Sequence, residues 1–166
     1  MFRIESAATI NMPLNECWEK LRDLSLAANY VPGLIRCELS TAQTEGVGAS
    51  RRVYQKSLAL DETVTDWREG NGFTIRLHDG EKAPPMFKEG YFIYQLEDSG
   101  NGTTTFRPAM EITMPWGVIG SLLGKLLQPM MQKTLYDVAL AMKIYYETDN
   151  KVTPEILKAA KQAEQN

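Results

Sequence analysis

One long helical period placed after a run of turn-punctuated strands most restricts what this chain can fold into. Between Leu34 and Met114, apolar residues alternate in short stretches separated by glycine-containing turns. Between Val118 and Glu147 they recur every three to four residues. A period of two buries one face of a strand, and a period of 3.6 buries one stripe of a helix. Hairpin-linked strands form an antiparallel sheet, and a single long amphipathic helix finds its partner in that sheet's apolar face. The expected class is α+β, with a curved sheet gripping one helix and a ligand-sized space between them.

The rest of the chain fits this plan. Phe2 to Asn11 alternates, with Phe2, Ile4, Ala8 and Ile10 on one side, and predicts one strand. Asn11-Met12-Pro13 then opens a helix through Leu14, Cys17, Trp18, Leu21 and Leu24. A second short helix over Leu26 to Tyr30 stops near Pro32-Gly33. Strands are predicted over Ile35–Thr44, Ser50–Lys56, Ala59–Trp67, Phe73–Leu77, Phe87–Leu96 and Thr103–Met114. Gly70-Asn71-Gly72 and Ser99-Gly100-Asn101-Gly102 are hairpin turns. Pro108 marks an edge, bulge or bend in the last strand. In the long helix, Leu123, Leu127, Met130, Met131, Thr134, Val138, Ala141, Met142 and Tyr145 are predicted to face the sheet, and Pro129 to kink or break it. The domain is expected to cover residues 1–148. Residues 149–166 read as a polar tail that frays, with a short helix over Ile156–Ala163.

Composition removes several function classes. Lys plus Arg is 18 and Asp plus Glu is 21, a net charge of −3, which argues against a nucleic-acid surface built from clustered cations. One His and two Cys leave no set for a transition-metal site, so neither metal nor cofactor is expected. His78 has the parity opposite to Phe73, Ile75 and Leu77, so it is expected to point outward rather than act as a base. With no basic-then-apolar leader at the N-terminus, both thiols are expected to be reduced and the protein cytoplasmic. Eight Met in 166 residues is unusual.

Short stretches in order along residues 2 to 148 resemble the START-like (SRPBCC, helix-grip) superfamily, in particular its polyketide cyclase/dehydrase and lipid-transport branch. These are Asn11-Met12-Pro13 with Cys17-Trp18 and Leu21-Arg22-Asp23, Tyr30-Val31-Pro32-Gly33, Gly46-Val47-Gly48-Ala49-Ser50-Arg51, Glu62-Thr63-Val64 and Gly100-Asn101-Gly102-Thr103. Cys17 stands where the family pattern has Val. The resemblance implies a cavity between sheet and long helix that takes a lipid, quinone, polyketide or aromatic compound. It predicts chemistry hardly at all.

Glu62 shares parity with Leu60 and Val64, an inner-face position, and the resemblance implies a cavity carboxylate there. With Tyr94 it is the acid/base pair of a cyclase/dehydrase-type enzyme, the alternative to a carrier. Arg51 is expected to pair with a carboxylate. Gln55 and Tyr94 share parity with apolar neighbours and offer hydrogen bonds to a ligand. The apolar ligand contacts are expected from Val53, Phe73, Ile75, Phe92, Phe106, Met110, Ile112, Leu123, Leu127, Met131 and Val138. Met110, Met114, Met130, Met131 and Met142 lie on the last strand and the long helix, where flexible thioethers suit an irregular apolar ligand. Pro115 to Ile119, with Trp116, and the loop from His78 to Phe87 are expected at the mouth, as a lid or a transient membrane contact.

Overall fold

The computed structural model describes residues 1–80, 87–115 and 117–164, and within the long helix the side chains of residues 118, 119, 121 and 123 are not described. Among the described residues nine strands, all antiparallel where they pair, form one sheet: β1 (Phe2–Glu5), β2 (Ala8–Ile10), β3 (Arg36–Leu39), β4 (Ser50–Tyr54), β5 (Ala59–Arg68), β6 (Gly72–His78), β7 (Glu89–Gly100), β8 (Thr103–Phe106) and β9 (Ala109–Thr113). The main order is β1-β9-β7-β6-β5-β4-β3, with β2 on β8 and β8 on the second half of β7. Helix α1 (Leu14–Leu21) and a 3-10 helix (Leu24–Asn29) follow β2. Helix α2 (Gly117–Thr148) runs under the sheet and α3 (Pro154–Glu164) closes the chain. This is the expected α+β helix grip.

The strand expected over Phe2 to Asn11 is two strands, and so is the one expected over Thr103 to Met114. Both breaks lie at one level. Glu5 pairs with Ala109 and Ala8 with Phe106, so Ser6-Ala7 faces Arg107-Pro108. Pro108 has no N–H to offer the ladder. Its carbonyl instead accepts from the Ser6 N–H at 3.0 Å, and the matched bends let the sheet curl around α2. Thr65 is an extra residue in β5, between Val64 opposite Ile75 and Asp66 opposite Thr74. That bulge flips the parity and keeps Trp67 inside, stacked on Phe73 at 5.5 Å and edge-on to Trp18 at 5.0 Å. Gly72 is required where β6 starts. A Cβ there would stand 2.0 Å from the Tyr94 carbonyl oxygen.

Helix α2 continues through Pro129 as one element. Its buried stripe steps by four and three through Met131, Leu135, Val138, Met142 and Tyr145, joined by Tyr146. Met130 and Thr134, both expected inside, are one position off that stripe and lie in solvent; Leu135, fully buried, takes the place given to Thr134. The short helix expected over Ile156–Ala163 forms as α3 and is packed rather than frayed. Leu157 packs on Leu140 and Ala141, and the Val152 N–H donates to the Asn29 carbonyl at 2.8 Å, tying the linker to the 3-10 helix.

Candidate functional site

The interior has a polar cluster, a solid aromatic end and a looser methionine end. The polar cluster follows from register: Arg51 on β4 faces Glu62 on β5 directly across the ladder. Both point inward, and Arg51 Nε donates to Glu62 Oε2 at 2.6 Å. The same guanidinium donates to the Leu24 carbonyl at 2.8 Å and to the Tyr94 hydroxyl at 3.3 Å. Burial works against the charge on Arg51, yet the Glu62 carboxylate and the facing tyrosines hold its pKa well above the ordinary arginine value. Burial pushes Tyr94 up to about 12, against the downward pull of Arg51. At neutral pH it is an uncharged hydroxyl and no base. The Tyr30 ring reaches the cluster from the end of the 3-10 helix, and burial raises its pKa well above the ordinary value.

The solid end is built from Phe73, Ile75, Leu96, Phe106, Leu135, Val138 and Met142, each at most 2 % exposed, and Val53 on β4 and Ile112 on β9, opposite Phe2, are buried as deeply elsewhere. Val53, Phe73, Ile75, Phe106, Ile112 and Val138, expected from sequence as ligand contacts, are packed against their neighbours in this structure. Gln55 lies away from the interior. Strand β4 ends at Tyr54, and Gln55 lies exposed in the turn, its N–H donating to the Leu58 carbonyl at 2.7 Å.

The looser end lies under the first half of α2. Phe92 and Met131 keep 9 and 7 % of their surface exposed, and Met110, Met114, Leu127, Phe2 and Phe87 are half-buried against the core. Two glycines one turn apart let α2 approach closely here, Gly120 to the segment that enters the helix and Gly124 to β1. A Cβ on Gly120 would lie 1.8 Å from the Pro115 carbonyl oxygen, and one on Gly124 would lie 2.9 Å from the Phe2 ring. A cleft of about 270 Å³ opens at this point, lined by Met1, Phe2, Met114, Gly117, Lys125 and Gln128. The sequence signal for it is Gly120 and Gly124, but small residues in a helix read first as weak helix formers. Trp116, residues 81–86 of the expected lid and the Leu123 side chain lie outside the described residues.

His78 is half-buried on the sheet's outer side. Its Nδ1 is 2.6 Å from the Gly80 carbonyl oxygen, so Nδ1 carries the proton and Nε2 accepts from the Thr63 hydroxyl at 2.8 Å. It is on the other face from Glu62. Both cysteines are free, and burial raises the pKa of each. Among the described residues no three His, Cys, Asp or Glu side chains are grouped to hold a metal ion, and no helix is long and apolar enough to cross a membrane.

A curled antiparallel sheet gripping one long helix defines a START-like α+β protein. The chain belongs to the polyketide cyclase/dehydrase and lipid transport family, whose pattern matches residues 1–143. Solved structures repeat the fold at low identity. A START superfamily protein from Mycobacterium smegmatis is 12% identical over 89% of this chain and 99% of its own, with a TM-score of 0.69. A protein of Thermus thermophilus is 15% identical over 96% of this chain and 99% of its own, with a TM-score of 0.65. The di-domain ARO/CYC BexL is 8% identical over 87% of this chain and 47% of its own, with a TM-score of 0.67. No curated protein matches the chain in sequence.

Proposed function

We propose that the chain is a carrier or sensor that holds a hydrophobic or amphipathic small molecule between the sheet and the first half of α2. The supporting observation is the division of the interior. The half-buried Met110, Met114 and Leu127, beside Phe92 and Met131, leave soft, adaptable surface next to a cleft that reaches solvent. The inward acid/base candidates are engaged with one another: Glu62 holds Arg51, and Arg51 holds the Tyr94 hydroxyl. A general base must reach a substrate proton, and the Glu62 carboxylate is already engaged by a buried guanidinium. This favours binding over the cyclase/dehydrase alternative. Native mass spectrometry of the purified protein tests it. A lipid, quinone or polyketide should co-purify and be lost in Met131→Trp, which fills the space. Turnover of a polyketide-like substrate that Glu62→Gln abolishes in a folded protein would replace the carrier reading with the enzyme.

A second observation extends the carrier to a lipid surface. Leu122, Leu126 and Met130 follow one another at every fourth position on α2 and are 71, 76 and 58% exposed. Residues 117–136 contain no acidic side chain, and their charges are Lys125 and Lys133. An apolar stripe flanked by lysines suits an anionic bilayer. The triple change Leu122→Ser, Leu126→Ser and Met130→Ser should abolish flotation with vesicles containing phosphatidylserine while leaving the thermal midpoint in place. Flotation unchanged in that variant would contradict docking through this stripe.

A further inference from the structure

We infer that the cleft between α3 and the loop leaving the 3-10 helix is a second binding site, one for a linear anionic amphiphile with a carboxylate head and an apolar tail. It has a volume of about 440 Å³, within the range of small-molecule sites. Its walls are apolar: Val31, Leu34 and Ile35 come from the loop and Leu157 from α3. Ile35 is 61% exposed, a large β-branched side chain left in water beside the opening. With Val31, Leu34 and Leu157 it makes contiguous apolar surface in one concavity, the kind of patch that marks a binding surface.

The charges around it have one sign. Lys151, Lys158 and Lys161 line the cleft and no acidic side chain does, although the chain as a whole carries −3. Lys161 is paired with Asp137. Lys151 and Lys158 have no ion pair among the described residues. Lysine stems extend the apolar wall while their ammonium groups stay in water at its edge. An apolar channel with free cations at its rim complements a molecule with one negative head. A neutral lipid would leave the lysines unused, and an acidic peptide would leave the apolar wall wet.

The cleft is also well built. The Val152 N–H bond to the Asn29 carbonyl and the packing of Leu157 on Leu140 and Ala141 fix α3 against the body. Helix α3 lies beyond the residues 1–143 matched to the family pattern. None of its lining residues belongs to the methionine end, and the inference does not depend on a ligand there.

Amide chemical shifts of the full chain, titrated with dodecanoate and separately with dodecanol, test the site. Dodecanoate should shift Gly33 to Ile35 and Val152 to Lys158, and bind there at least tenfold more tightly than dodecanol. The double change Lys151→Glu with Lys158→Glu, on two exposed side chains, should weaken dodecanoate at this site at least tenfold and change dodecanol less than twofold. Ile35→Asp should weaken both, and serves as the second variant. Equal affinity for dodecanoate in the lysine variant, or shifts confined to residues such as Phe92, Met110 and Met131, would overturn the proposal. The latter result would leave interior binding intact.

Discussion

Arg51 and Glu62 sit directly opposite each other on neighbouring strands, and their side chains meet inside the sheet at 2.6 Å. Arg51 is 1% and Glu62 11% exposed at the side chain, so this is a buried ion pair between the core and the polar end of the 3-10 helix. Removing one partner of such a pair strands the other charge, whereas replacing both with apolar groups is often neutral or stabilising. Glu62→Leu is therefore expected to destabilise the fold by about 3–5 kcal/mol, and Arg51→Met combined with Glu62→Leu to recover most of it. Urea unfolding of the two variants checks this. A single variant as stable as the parent would show that the pair is not a structural fastening.

The buried tyrosines give the fold an alkaline limit. In an unfolded chain tyrosine ionises near about 10. In the fold burial holds Tyr94 at about 12, and burial likewise holds Tyr30 and Tyr146 well above the ordinary value. Stability that depends on their neutral forms is whole below the unfolded pKa. It is lost as pH rises through the folded value, because the unfolded state sheds these protons first. Absorbance at 295 nm should show these three of the seven tyrosines ionising only with unfolding, as near-ultraviolet circular dichroism collapses. Ionisation of all seven at pH 10.5 with the fold intact would contradict it.

Tyr94 and Tyr146 should respond differently to loss of the hydroxyl. The Tyr94 hydroxyl accepts from Arg51, while the Tyr146 hydroxyl is buried without a hydrogen-bond partner among the described residues. A buried polar group lacking a partner costs free energy that its removal returns. Tyr146→Phe is expected to be neutral or to raise the thermal midpoint, and Tyr94→Phe to lower stability by about 1–2 kcal/mol. The reverse order would place the stabilising hydroxyl at the wrong tyrosine.

Gly72 should not tolerate a methyl group. With φ at 140° and the Tyr94 carbonyl oxygen 2.0 Å from where a Cβ would stand, Gly72→Ala forces β6 away from β7. A cost above about 2 kcal/mol is expected in denaturant unfolding. Gly70→Ala meets no atom within 4 Å, so it should cost less, from its φ of 78° alone. Equal costs would mean that close approach at Gly72 plays no part.

Much of the fold is legible in the sequence because burial repeats at fixed periods. The parity of Phe73, Ile75 and Leu77 and the inward reading of Glu62 need only the alternation of a strand. Two-residue breaks are harder to see. Ser6-Ala7 leaves the parity of Ile4 and Ile10 unchanged, so nothing in β1 and β2 alone reveals that the chain changes partner. The Thr65 bulge does change parity, but its evidence is Trp67, a residue that also ends the expected strand. Thr134 is expected inside and lies outside because the phase of a helix cannot be set closer than one position without its neighbours. The ligand contacts are the least legible part. Alternation separates inner from outer residues, yet it cannot separate Phe106, sealed in packing, from Met110, at the loosened end. That difference depends on how closely α2 approaches, which Gly120 and Gly124 control.

The most direct test of the central claim labels the methionine methyl groups with 13C and adds 1-aminoanthracene, an apolar probe, in a two-dimensional NMR titration. Binding under the first half of α2 should give saturable shifts of the Met110, Met114 and Met131 methyls, with little change at Met142, which is fully buried in the solid end. Shifts confined to the exposed Met1 and Met130, or a strong response at Met142 with none at Met131, would contradict a binding space under the first half of α2.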